Sequence, residues 1–113
     1  MTVTLDINVF VDVFRDRQPY VVESLQVMEM VAEGKLTGVC PAHGLTTLYY
    51  LVRKHGSKRC AEAAMDRVLN HFQIGALDSE GWRDARRLPM DDFEDAVVAA
   101  VAKSSGSALS PPP

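Results

Sequence analysis

The 113-residue chain predicts an α/β fold of three layers, with helices on both faces of a central parallel sheet. Short β-branched apolar runs alternate along it with stretches of helical periodicity, and Gly, Pro, Ser or Asp stands at most of the junctions. The balance of 47% apolar against 24% charged residues is that of one globular domain. A chain of this size buries enough core to need no disulfide or zinc staple.

Residues 2–7 read as the first strand, which ends where Asp6-Ile7-Asn8 turns polar. Residues 9–14 are apolar except for Asp12 and predict a short buried helix. A loop follows at Arg15-Asp16-Arg17-Gln18. Pro19 suits the first turn of a second helix, whose apolar face would be Val22, Leu25, Met28 and Ala32. Gly34 ends that helix as a left-handed cap. Residues 36–40 form the second strand, ahead of Pro41. The third helix, 44–54, carries Leu45, Leu48, Tyr49, Leu51 and Val52 and stops at Gly56. Ser57 caps a fourth, with Cys60, Ala64, Val68 and Leu69 on its apolar face.

Residues 72–77 predict a third strand, and Asp78 or Ser79 opens a short helix that Pro89 ends. The last helix begins at Asp91 or Asp92 and continues through the nearly all-apolar stretch 96–102. The closing Ser-Gly-Ser-Ala-Leu-Ser-Pro-Pro-Pro has turn composition, and its three prolines cannot enter a sheet interior. The expected organisation is one domain over residues 1–105 and an irregular tail over 106–113.

Charge and cysteine content narrow the function classes. A net charge of -3 and a pI near 5.5 exclude a protein that grips nucleic acid by bulk charge, so such binding needs a local patch. Cys40 and Cys60 are too few for a disulfide framework or a zinc knuckle. No apolar run has the length of a membrane span and no signal pattern opens the chain, so a cytoplasmic protein without a membrane is expected.

The candidate chemistry lies in carboxylates. In open parallel sheets, ligands bind beyond the carboxyl ends of the strands, and Asp6 is placed there. Capping of the next helix by Asp6 or Asn8 is the alternative. The second group is Asp91-Asp92-Phe93-Glu94-Asp95. Asp91 and Glu94 fit a capping box, whereas Asp92 and Asp95 share a helix face and predict a buried Asp95. Converging carboxylates without His or Cys company favour Mg²⁺ or Mn²⁺. Arg53, Lys54 and His55 with Lys58 and Arg59 are the densest basic cluster, either solvated helix ends or a phosphate-contacting rim.

These motifs resemble the PIN-domain ribonucleases. Leu5-Asp6-Ile7-Asn8-Val9-Phe10-Val11-Asp12 is similar to the family's opening signature. The segment from Cys40-Pro41-Ala42-His43-Gly44 through Tyr50 resembles the family's second-strand segment, and Asp92-Phe93-Glu94-Asp95-Ala96 its third motif. The resemblance implies a Mg²⁺- or Mn²⁺-dependent endoribonuclease of the VapC toxin type, held in check by a cognate antitoxin. Asp6, Asp92 and Asp95 would then be the metal-holding catalytic residues, with Asn8, Thr47, Arg53 and Lys54 contacting RNA or its water. Two departures stand out. Thr47 replaces a Glu that many members carry, and the family's last strand with its acid is replaced by Ser-Gly-Ser and three prolines. The chain therefore reads as a truncated or frame-altered member lacking the C-terminal strand. An open edge along the first strand and underpacked Val97, Val98 and Val101 follow from that reading, and with them a homodimer.

The alternative function is a PIN-like remnant that binds RNA or a partner protein without cleavage, which Thr47 and the missing strand favour. A haloacid-dehalogenase-like phosphohydrolase would share Asp6-Ile7-Asn8-Val9 but needs a second Asp where Asn8 stands.

Overall fold

The computed structural model describes residues 1–15 and 21–110; residues 16–20 and 111–113, with Pro19 and the closing prolines, lie outside the described residues. The order is β1 (Thr2–Leu5), α1 (Ile7–Phe14), α2 (Val21–Ala32), β2 (Thr37–Pro41), a 3₁₀ turn (Ala42–Gly44), α3 (Leu45–His55), α4 (Lys58–His71), β3 (Phe72–Gly75), α5 (Ser79–Arg87), α6 (Phe93–Ser104) and β4 (Ala108–Ser110). The four strands are all parallel, in the order β3-β2-β1-β4.

Alternation along β1 separates the two helical layers. Val3 and Leu5 join one core with Phe10, Val11, Leu48 and Val68 from α1, α3 and α4. Thr4 points to the other side, towards the end of α6, where Ala85, Val97 and Ala100 form a second cluster with Leu77. The three-layer architecture expected from the alternation is present. Phe10 meets Phe72 edge-on at 4.9 Å, and a Cβ on Gly38 would lie 2.6 Å from the Phe72 ring, so only glycine fits that strand position. No helix among the described residues is long and apolar enough to cross a membrane.

Two helix ends are closed by glycines in the left-handed region. Gly34 (φ 78°) ends α2 as predicted, with Lys35 N–H donating to Met30 C=O at 2.9 Å. Gly106 (φ 65°) does the same for α6, with Ser107 N–H donating to Ala102 C=O at 2.9 Å. This second turn corrects the expected irregular tail. It sends the chain back along β1, where Ala108, Leu109 and Ser110 pair with Val3, Thr4 and Leu5. The strand expected to be missing is present in short form, and the edge of β1 is covered. Val97, Val98 and Val101 are accordingly well packed, at 2%, 4% and 2% exposure.

Four smaller expectations also change. The buried face of α2 is Val21, Ser24, Met28 and Val31, leaving Val22 and Leu25 exposed, because the Ser24 hydroxyl donates to Asp12 Oδ2 at 3.2 Å against α1. On α4 the buried face is Ala61, Ala64 and Val68; Cys60 sits exposed in the first turn, where its N–H donates to the Ser57 cap at 3.1 Å. Strand β3 stops at Gly75, since Leu77 leaves the sheet to pack with α5 and α6. Helix α6 is capped by Asp92 rather than by Asp91. Cys40 is fully buried, which pushes its thiol up to about 12 and leaves it un-ionised.

A Cβ on Gly106 would meet nothing within 4 Å, so its replacement has a purely conformational cost. Gly106→Ala should lower stability by about 1–2 kcal/mol in urea melts. Gly106→Asn should cost less, because Asn tolerates the left-handed region. Equal losses for both would show that space, not backbone angle, sets this turn.

Candidate active site at the carboxyl edge of the sheet

The strand order reverses direction at β1: β2 and β3 lie to one side of it and β4 to the other. Such a reversal opens a crevice at the carboxyl ends of the strands. Asp6 follows β1 directly into it. Its backbone is extended (φ -61°, ψ 146°), and its side chain caps α1 by accepting the Asn8 N–H at 2.9 Å. Asp92 does the same for α6, accepting the Glu94 N–H at 2.8 Å. Each carboxylate is thereby fixed by its own helix, in the positive field of that helix start.

Asp95 lies in the first turn of α6, and it is exposed rather than buried. Its carboxyl is nevertheless held above the ordinary carboxylate range, first by partial desolvation, then by the charges of Asp92 and Asp6. The cap acid that follows β1 and the cap acid of α6 thus both act on Asp95. Their mutual repulsion is what a hard cation would relieve, and an all-carboxylate donor set suits Mg²⁺ or Mn²⁺ in kind. Among the described residues, no three His, Cys, Asp or Glu side chains are grouped tightly enough to hold an ion.

The other expected site residues are distributed as follows. Asn8 is exposed and touches Asp6 through its main-chain N–H. Thr47 is exposed in the first turn of α3, just past the carboxyl end of β2. Arg53 and Lys54 close the same helix, about 10 Å further along its axis than Thr47 at 1.5 Å per residue, so the fold does not bring them to the acids. Lys54 lies 5.9 Å from the Tyr50 ring centre and, with Arg15 from the end of α1, surrounds His55. Slight desolvation and then these two cations lower the proton affinity of His55, which is exposed. Arg15 is a member of this basic patch that sequence spacing did not reveal.

Sequence reasoning noted Trp82 only as the centre of an Arg83, Arg86 and Arg87 rim and did not group it with His43 and Phe93, because the three come from separate segments. His43 stands in the turn after β2, and its Nε2 is buried without a hydrogen-bond partner. Burial pulls its pKa down, while Glu94 and Asp6 push it back up. Its position two residues after the strand-ending Pro41 was the available signal.

A parallel α/β domain with acids gathered at its strand-order reversal is the class that fold and site define. The chain belongs to the PIN domain family, whose profile matches residues 2–108. Solved structures share the fold, among them VapBC2 and VapC20. VapBC2 from Rickettsia felis, determined with a DNA fragment from its promoter, is 17% identical with a TM-score of 0.67, covering 96% of this chain and 86% of that one. VapC20 from Mycobacterium tuberculosis, a sarcin-ricin loop cleaving toxin, is 15% identical with a TM-score of 0.71, covering 93% of this chain and 84% of that one. No curated protein matches in sequence.

The crowding of Asp95 has a measurable consequence. A carboxyl whose pKa is raised by folding favours the fold when protonated and opposes it once ionised. That contribution is complete below the unfolded pKa of about 3.9 and is lost as pH rises through the folded value. Asp95→Asn should therefore melt higher than wild type near neutral pH, with the gain vanishing by about pH 3. An unchanged melting temperature at neutral pH would contradict the crowding.

Proposed function

We propose that this protein is a metal-dependent endoribonuclease of the VapC toxin type, hydrolysing phosphodiester bonds of RNA in the cytoplasm. The observation that carries the reading is that Asp6 and Asp92 each cap a helix at an element end of a PIN domain, with Asp95 near enough to feel both charges. These three would hold Mg²⁺ or Mn²⁺. The bound ion would lower the pKa of a water and neutralise charge on the scissile phosphate.

The chain's own residues supply orientation. Asp6 and Asp92 are each fixed through one oxygen by a helix N–H, so neither carboxylate swings freely. Thr47 offers a hydroxyl that orders water or a phosphate oxygen without adding charge. Asn8 contributes an exposed amide beside Asp6. On a chain of net charge -3, Arg53, Lys54 and Arg15 form the local patch that would hold the RNA backbone away from the cut. A cognate antitoxin is the partner we infer, and VapBC2 is a neighbour in fold. Exposed Val22, Leu25 and Met30 of α2 offer it apolar surface. The homodimer expected from an open β1 edge loses that basis, because β4 occupies the edge.

The second reading, binding without cleavage, is favoured by Thr47 in a position where many members carry an acid. One experiment separates the two. Wild-type protein should cut single-stranded RNA with Mg²⁺ or Mn²⁺ and stop in EDTA. Asp6→Asn should lose more than the roughly 10–100-fold typical of outer-shell partners. It should also lose the rise in melting temperature that Mn²⁺ gives wild type. Cleavage that persists in EDTA would remove the metal, and intact protein that binds RNA without cutting it would favour the remnant.

A further inference from the structure

Beyond the ends of β2 and β3, next to the acids, lies a cavity of about 290 Å³ lined by Ala42, His43, Gly75, Leu77, Trp82 and Val97 among others. The acid site makes no use of it. Trp82 meets the His43 ring edge-on at 6.1 Å and the Phe93 ring at 6.1 Å, tilted by 46°. The rings form a row from the cavity wall to the first turn of α6, where Phe93 stands between Asp92 and Glu94. Phe10 and Phe72 are buried, as large rings in a small domain usually are, yet Trp82 and Phe93 remain 38% and 46% exposed. Two half-wet rings beside a cavity are an available stacking surface.

The chemistry of the lining selects the ligand. Among the described residues no Lys or Arg lines the cavity, and the charges acting on His43 are the carboxylates of Glu94 and Asp6, so the cavity itself offers a phosphate no cationic partner. An extended aliphatic chain would leave His43 Nε2 without a partner. A flat, neutral heterocycle with donors and acceptors on its edge meets both demands, with a π-face for Trp82 and a polar edge for the imidazole. The volume lies at the small end of ligand sites, room for one such ring and not for a paired stem.

We propose that this cavity is a nucleobase subsite, in which one base of single-stranded RNA stacks on Trp82 beside Phe93 and turns its polar edge to His43. The adjoining phosphate would then lie over Asp6, Asp92 and Asp95. The base pocket thereby makes cleavage selective at one nucleotide next to the cut. The RNA substrate rests on the function proposed above; the base pocket itself is testable without it.

Trp82 is the single tryptophan of the chain, so its emission reports on this cavity alone. Titration with adenosine, cytidine and uridine in EDTA, with ribose as control, involves no metal, no phosphate and no cleavage. At least one nucleoside should quench Trp82 saturably, ribose should not, and His43→Gln should change the ranking of the nucleosides. With a labelled 2′-O-methyl hexanucleotide, Trp82→Leu should bind about 5- to 150-fold more weakly, the range spanned by stacking of one base. Trp82→Phe keeps a stacking face and should restore most of that affinity. Quenching by a nucleoside in protein that cuts no RNA would uphold the subsite and count against the nuclease. No saturable quenching, or equal quenching by ribose, would overturn the subsite, and in protein that cleaves RNA the nuclease reading would stand.

Discussion

Strand β1 is hydrogen-bonded along both of its edges, to β2 on one side and β4 on the other. Its main-chain groups are therefore satisfied inside the sheet, and its carboxyl end is held in the middle of the domain instead of at a frayed margin. Asp6 inherits that fixity as the next residue, and the cap it makes on α1 converts the strand end into a helix start without an intervening loop. The site depends on this pairing in a second way. Thr4 is fully buried and its hydroxyl needs a partner; Ser107, on the approach to β4, provides it, and Ser105 links Ser107 to the last carbonyls of α6. Helix α6 is thus tied to β1 at its far end while its first turn presents Asp92 and Asp95. Both halves of the acid set belong to one rigid frame.

What could be read from the residues was what local chemistry decides. The β-branched runs, the Gly34 and Ser57 caps, the helix start at Asp78 or Ser79 and the apolar last helix were legible because each signal lies within a few residues of its effect. Strand β4 was not legible. Ala-Leu-Ser has little strand preference of its own, and its extended state is imposed by pairing with β1, a hundred residues away in sequence. The α2 face was misread for a similar reason, because the buried position of Ser24 exists only through Asp12 on another helix.

The acids were legible as types at element ends, Asp6 just past β1 and Asp92 just before α6. Their detailed roles were not. Asp92 rather than Asp91 caps α6, and Asp95 faces water, because the cap position is set by where the chain turns into the helix and not by the first acid of a run. The aromatic row was invisible for a topological reason. His43, Trp82 and Phe93 follow β2, sit on α5 and open α6, and only the layering of those elements brings them together.

Charge distribution completes the physical picture. Three carboxylates at one edge of an already acidic chain repel each other and any polyanion, so the fold must offset this locally. Helix starts do part of it, since Asp6 and Asp92 each receive an N–H from the helix they begin. Cations collected at the opposite end of α3 do another part, where Arg53 and Lys54 also complement the negative helix end. The neutral aromatic wall lies on the acid side, and the neighbouring carboxylates do not oppose an uncharged ring. A polyanion with exposed bases would therefore be drawn by its backbone to one region and by a base to another. On the function proposed here, its position over the acids would be a compromise between two attractions, neither of which comes from the acids themselves.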